Sequence, residues 1–203
     1  LRGLSGKTRQ ALGNLSFLLE NLLHWSRTQM EQIHLQPEAV DLAELVLKNL
    51  ELFSYQLQEK QLRTCTRFAE NSRVLADKNM IDIALRNLLS NALKFSPEGG
   101  QIDIETGTHA PGLLQVSITD QGSGFAPEQL QGFQQRRKIM TSRGTRNEKG
   151  TGLGLMIAQE FATLNKGKLL AGNTRPQGAV LKLVLPMQNV KYRDDKHFSS
   201  LNV

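Results

Sequence analysis

The sequence predicts an α+β fold in which helices cover one face of a largely antiparallel sheet. Three observations carry that expectation. Apolar residues alternate with period two at Ile102 and Ile104, at Leu114, Val116 and Ile118, and at Leu181, Leu183 and Leu185, the mark of strands with one buried face. Apolar residues recur at helical spacing over residues 41–61, 78–95 and 151–165, giving helices that need cover on one side. The order of these segments along the chain favours helices segregated to one side of a sheet.

The bulk composition sets the bounds. At 203 residues and 39% hydrophobic content the chain has enough apolar material for a packed core, and 22% charge is ordinary for a folded protein. The longest unbroken apolar run is four residues, Leu155 to Ala158, too short to span a bilayer, and no secretion leader opens the sequence. One cysteine, Cys65, excludes an internal disulfide framework and suits a reducing compartment, so a soluble cytoplasmic protein is expected, with any membrane anchor lying upstream. The four histidines, His24, His34, His109 and His197, are scattered without metal-ligand spacing, which argues against a Cys/His cage.

Taken in order, residues 1–33 read as one long coiled-coil-like helix. Leu1, Leu4, Thr8, Ala11, Leu15, Leu18, Leu22, Trp25 and Gln29 follow alternating steps of three and four, and seven of those nine are apolar. Such a stripe needs a partner helix, from upstream chain or from a second copy in a homodimer. Pro37 breaks the helix within residues 34–40, and Asp41 with Glu44 three places on resembles a capping box. The helix so opened carries Val46, Leu50, Phe53 and Leu57 and fades near Gln61. Short strand-like pieces follow at 63–68 and 73–76, then a helix over 78–95 stopped by Ser96-Pro97-Glu98-Gly99-Gly100. After the strands ending at Asp120 come a glycine-rich turn, a short helix from Pro127, a basic loop, a helix over 151–165 and strands at 168–171 and 179–185. The expected organisation is a helical segment 1–34, a domain 35–187 and a polar tail 188–203.

The net charge of +6 is concentrated rather than spread. Between residues 133 and 150 lie Arg136, Arg137, Lys138, Arg143, Arg146 and Lys149 against the single acid Glu148. Aromatic residues make up 5% of the chain and none alternates with these cations, so a nucleic-acid platform is not indicated. The cluster suits a compact polyanion such as a nucleotide triphosphate, or else a solvated loop.

Three segments have the chemistry for a ligand. On the 78–95 helix, Asn87, Asn91 and Lys94 fall on one narrow arc, while Ile81, Ala84, Leu85, Leu88, Leu89, Ala92 and Phe95 form a separate apolar arc. A carboxamide oxygen is a hard neutral donor able to complete Mg²⁺ coordination, and an ammonium one turn away can meet a phosphate oxygen. The plain alternative is a solvated polar stripe. The segment Ser117-Ile118-Thr119-Asp120-Gln121-Gly122-Ser123-Gly124-Phe125 ends a strand on an acid followed by two glycines. A carboxylate there can accept from an exocyclic amine such as that of adenine, although acids and glycines also populate simple turns. Finally, Gly150, Gly152 and Gly154 open a helix and expose backbone N–H groups suited to an anion. The loop has neither the Gly-Lys-Ser/Thr of a P-loop nor the strand-first glycine pattern of a dinucleotide fold.

In this order the three segments resemble the motifs of sensor histidine kinases. Asn87-Leu88-Leu89-Ser90-Asn91-Ala92-Leu93-Lys94-Phe95-Ser96-Pro97 is similar to their N box. Asp120-Gln121-Gly122-Ser123-Gly124 resembles the first glycine box and Gly150-Thr151-Gly152-Leu153-Gly154-Leu155 the second. Residues 18–27, around His24-Trp25, look like the second helix of the family's dimerisation and phosphoacceptor hairpin. The resemblance implies the two-layer α/β sandwich shared with gyrase, chaperone and mismatch-repair ATPases, binding Mg-ATP. By the same likeness Asn91 would ligate Mg²⁺, Lys94 would contact phosphate, Asn87 would line the site and Asp120 would read the adenine amine. Gly122 and Gly124 would admit the base. Residues 133–149, with Phe133, Arg143 and Lys149, would be a mobile lid, closed by Gly150, Thr151, Gly152, Leu153, Gly154 and Leu155. The implied reaction passes the γ-phosphoryl group to a histidine and onward to a response regulator.

The sequence departs from the family pattern in three places. No segment matches the family's phosphoacceptor histidine, and His24 lacks its context. Met140 stands where relatives often carry phenylalanine. Val180 is read as the last-strand position where many relatives have a threonine beside the acid. The alternatives are an ATPase of the same fold driving conformational change and a nucleotide-insensitive dimerisation or signalling scaffold.

Overall fold

The computed structural model describes residues 35–135, 144–146 and 152–188. The helix expected over 1–33, Met140, most of the basic loop and the polar tail lie outside the described residues.

The stretch that Pro37 keeps out of a helix forms a strand, an element the sequence pattern does not announce. Pro37–Asp41 (β1) pairs antiparallel with Arg73–Asp77 (β3) in a ladder separate from the main sheet. Proline is tolerated there because a two-stranded ladder leaves one N–H side of each strand unclaimed. Asp41 then caps the helix that follows. Its Oδ1 accepts from the Ala43 and Glu44 N–H groups at 2.9 and 3.3 Å and from the Ser72 hydroxyl at 2.7 Å. The Ser72 bond, reinforced by the two backbone N–H groups and working against burial, holds the Asp41 carboxyl below its ordinary range.

The single helix expected over 41–61 is two. Leu42–Leu52 (α1) and Ser54–Glu59 (α2) meet at Phe53, whose backbone (φ −91°, ψ 3°) leaves helical geometry. With that kink Leu50, Phe53 and Leu57 all pack against the core.

The main sheet contains Arg63–Arg67 (β2), Gln101–Ala110 (β4), Leu113–Asp120 (β5), Lys168–Asn173 (β6) and Ala179–Pro186 (β7), in the spatial order β2-β4-β5-β7-β6. Every pair is antiparallel except β2 with β4, which are parallel. A parallel neighbour requires a crossover, and Lys78–Phe95 (α3) lies within it. Pro127–Gln134 (α4) and Leu153–Leu164 (α5) complete the helices. Among the described residues no helix is long and apolar enough to cross a membrane.

One sheet face, carrying Ile102, Ile104, Leu114, Val116, Ile118, Leu181, Leu183 and Leu185, is buried with Leu42, Leu45, Leu85, Leu88 and Leu89 from α1 and α3. Each such side chain taken fully from water contributes roughly 1.5–3 kcal/mol before entropy is counted. A second cluster of Met80, Ile83, Ile157 and Phe161 fixes α5 against α3. Asn165, just past α5, reinforces this contact: its Oδ1 accepts from the Asp77 N–H at 2.6 Å while its Nδ2 donates to the Phe161 carbonyl at 2.8 Å.

The limits of α3 follow from chemistry at both ends. Asp77 Oδ1 accepts from the N–H groups of Asn79 and Met80, each at 3.1 Å. At the other end Pro97 pushes Ser96 into extended backbone (φ −60°, ψ 140°), so the helix stops at Phe95.

Candidate functional site

The turn after β5 and the first turn of α5 both approach the C-terminal half of α3 closely. Asn87 is buried, and its Nδ2 donates to the Ile83 carbonyl at 2.9 Å, one turn back on its own helix. A Cβ placed on Gly154 would stand 2.5 Å from Asn87 Oδ1. Gly154 is thus required by its close approach to α3. Asn91 and Lys94, both half-buried, follow Asn87 at one-turn steps, and Lys94 Nζ lies 4.7 Å from the Phe95 ring centroid. The face is a solvated stripe only in part, since Asn87 is inside while Asn91 and Lys94 are half-buried.

The turn after β5 closes the other end. A Cβ on Gly122 would stand 2.5 Å from the carbonyl oxygen of Phe95, so the absence of a side chain lets the turn sit on the end of α3. Gly124 has φ +74°, the left-handed region that glycine enters without steric cost.

Asp120 is 3% exposed. Its Oδ1 accepts from the Gly122 N–H at 2.8 Å and from the Ala179 N–H at 3.3 Å. Both hydrogen bonds among the described residues fall on this oxygen, which leaves Oδ2 for a further donor. Burial raises the pKa of the carboxyl above its ordinary value, and the two backbone N–H groups counter only part of that rise. Chemically, the end of β5 carries a desolvated carboxylate able to accept an N–H group, and one face of α3 carries two carboxamides and an ammonium.

Several predicted positions differ from expectation. Phe133 is buried in α4 and belongs to the core cluster, so it anchors the start of the basic loop from inside rather than lying in it. Leu153 and Leu155 also pack as partly buried apolar residues, the former on the α3–α5 cluster and the latter on the main core. Gly152 is the left-handed cap residue before α5. Arg143, Lys149, Gly150 and Thr151 lie outside the described residues. Val180 is not the residue beside the acid. It pairs with Thr119, so it projects to the sheet face opposite Asp120, and the position across from Asp120 is Ala179.

Four contributors were not evident from the sequence. Lys60, 5% exposed, donates from Nζ to the carbonyls of Leu93 and Lys94 at 2.6 and 3.1 Å. Thr145 donates to the same Lys94 carbonyl from its N–H at 3.1 Å and its hydroxyl at 3.2 Å, the hydroxyl also reaching the Ser96 carbonyl at 3.0 Å. Thr145 therefore docks part of the stretch expected to be a free lid onto the end of α3. Asn173 and Ala179 hold the Asp120 turn from the ends of β6 and β7. A helix C-terminus with orphan carbonyls signals that a donor is needed, but nothing local singles out Lys60 or Thr145.

Residues 76–189 match the model of the histidine kinase-, DNA gyrase B-, and HSP90-like ATPases. The chain is 31% identical over 177 residues to the histidine protein kinase DivJ of Caulobacter vibrioides, covering 86% of this chain and 29% of that protein. It is 26% identical over 198 residues to the non-motile and phage-resistance protein of the same organism, covering 96% of this chain and 23% of the relative. Among solved structures, full-length ShkA in complex with AMPPNP superposes with a TM-score of 0.68 at 26% identity, covering 86% of this chain and 36% of ShkA. The chain thus spans less than a third of the length of these two curated relatives.

Proposed function

The chain belongs to the histidine kinase-, DNA gyrase B-, and HSP90-like ATPase family, and we propose that it is the Mg-ATP-binding catalytic part of a two-component sensor histidine kinase. The observation that carries this reading is the buried Asp120 carboxylate, with Oδ1 saturated by the fold and Oδ2 available. In the proposal Oδ2 accepts the exocyclic amine of adenine. A buried acceptor left unpaired is costly, so a base without that amine is rejected. Gly122 keeps the turn flush with α3, and the Ala179 N–H fixes the carboxylate's rotation.

The donor set on α3 fits the rest of such a ligand. Asn91 would offer its carboxamide oxygen to Mg²⁺, with Asn87 beside it, and Lys94 would meet a phosphate oxygen. The metal, when bound, would supply neutralisation of triphosphate charge. What the chain contributes is position: α3 is held by Asp77 at its start and by Lys60 and Thr145 at its end, so these side chains keep their line. The basic residues Arg143 and Lys149 would add charge from the loop, and Gly150, Thr151 and Gly152 would give backbone N–H groups to the phosphates.

Transfer of the γ-phosphoryl to a histidine and its relay to a response regulator receiver domain would need a phosphoacceptor helix of the intact protein, and residues 1–33 would supply the dimer contact. Residues 35–187 are the proposed catalytic domain, working on the cytoplasmic side of any membrane the full protein meets. The chain should bind Mg-ATP without labelling itself. Calorimetry with Mg-ADP tests the site: binding by the parent chain and a loss of about tenfold or more in Asn91→Ala are expected. Equal affinity in the two chains, or no binding at millimolar ligand, would overturn the reading, as would self-labelling from γ-labelled ATP for the absent acceptor.

A further inference from the structure

We infer that Asn173 is a positioning residue for purine selectivity, acting through the glycine turn rather than through the ligand. This rests on the nucleotide reading above. Asn173 is the last residue of β6, 48 positions from Phe125. Its Oδ1 accepts from the Phe125 N–H at 2.7 Å and its Nδ2 donates to the Phe125 carbonyl at 2.9 Å. A single carboxamide thus makes both bonds that a neighbouring strand would make, extending the sheet by one residue to capture the end of the turn.

The turn is also closed sterically from the same side. A Cβ on Gly124 would stand 2.8 Å from Asn173 Oδ1, and one on Gly178 would collide with the Asp120 carbonyl. The connection between β6 and β7 is therefore a backing plate for residues 120–125, with Asn173 holding its far edge and the Ala179 N–H its near edge. Between those two supports lies the Gly122 N–H, which bonds Asp120 Oδ1 and so determines which carboxylate oxygen remains for a ligand. Release of the Phe125 end frees Gly122 to shift, and the carboxylate then rotates. The loss falls on the contact with the exocyclic amine and leaves the phosphate end on α3 untouched.

Asparagine is the residue this geometry asks for. Aspartate keeps the acceptor but turns a second oxygen toward the Phe125 carbonyl, and alanine removes both bonds. Each bond is exposed to water, so the expected effect is moderate.

Calorimetry of the parent chain, Asn173→Ala and Asn173→Asp against Mg-ADP, Mg-IDP and Mg-tripolyphosphate tests the proposal. IDP has an oxygen where ADP has the amine. Both variants should lose about five- to tenfold in ADP affinity while tripolyphosphate binding stays within about twofold, compressing the ADP-to-IDP ratio. An unchanged ratio in both variants would overturn the inference. So would a proportional loss for all three ligands accompanied by a large fall in Tm, which marks a purely structural residue. A parent chain that binds tripolyphosphate yet does not discriminate ADP from IDP refutes the role of Asp120 instead, and this inference falls with it.

Discussion

Two buried acids, Asp82 and Asp120, show how the same side chain is treated by the two ends of this fold. Asp82, on α3 facing α1, is satisfied on both oxygens: Oδ1 accepts from Asn49 Nδ2 at 2.7 Å, and Oδ2 from Arg86 Nη2 at 2.7 Å and Lys48 Nζ at 3.4 Å. Asp120 receives only two backbone N–H groups, both on Oδ1, and no cation among the described residues. Among the described residues, Asp82 is neutralised by side chains of the fold and Asp120 is not. An acid with both oxygens and its charge accounted for is part of the scaffold, whereas a desolvated acid with one oxygen to spare is stored capacity in the proposed reading, where that oxygen meets the nucleotide.

That contrast breaks most visibly at Asp82. Asp82→Ala removes one of the two acceptors of the buried Asn49 amide and the carboxylate that faces the partly buried Arg86 guanidinium, and should cost about 3 kcal/mol in chemical denaturation. Nucleotide affinity of the protein that remains folded should stay within about twofold of the parent. A large affinity loss with little change in stability would reverse the roles assigned to the two acids.

At Asp120 the signs run the other way. Its folded-state pKa is raised, so at neutral pH the fold holds a charged group that it disfavours. Asp120→Asn should therefore raise Tm by a few degrees at pH 7 while lowering Mg-ADP affinity by about ten- to a hundredfold. The Tm advantage should be greatest above the raised folded-state value, shrink as pH falls through it, and vanish near the ordinary value of 3.8, where the unfolded chain also protonates. Melting curves from pH 4 to 8 decide it, and a variant less stable than the parent at pH 7 would contradict the stored-capacity view.

A smaller effect separates both from ordinary capping. Asp41→Ala should cost about 1 kcal/mol, roughly 2–4 °C in Tm, with no change in nucleotide binding. Since the Ser72 bond lowers the Asp41 pKa, its contribution is full above 3.8 and is lost as pH falls through the lowered folded-state value, the opposite trend to Asp120. Parallel pH trends for the two variants would break the comparison.

How far the sequence reveals these features depends on how local their causes are. Both ends of α3 are legible because a cap at Asp77 and a stop at Ser96-Pro97 act on adjacent residues. Asp120 is legible as an acid ending an alternating strand before glycines. Strand register is not local. The sequence pattern points to Val180 as the threonine-like position, yet pairing of Thr119 with Val180 puts Ala179 across from the acid, and a one-residue offset reverses which face a side chain serves. Asn173 and Lys60 are not legible for the same reason, since each acts on backbone more than thirty residues away. Pro37 speaks against helix, but the strand β1 itself is not legible, because its pairing with β3 depends on chain met later.

The ammonium of Lys60 and the hydroxyl of Thr145, from 34 residues before and 51 residues after, both fasten the Lys94 carbonyl. Helix ends ordinarily fray, because their last carbonyls have no partner within the helix. Here the final turn of α3 is stapled from two distant parts of the chain, so it keeps its shape before any ligand arrives. In the proposed reading the backbone under Asn91 and Lys94 needs no ordering when nucleotide binds, so that part of the entropy cost is met when the domain folds.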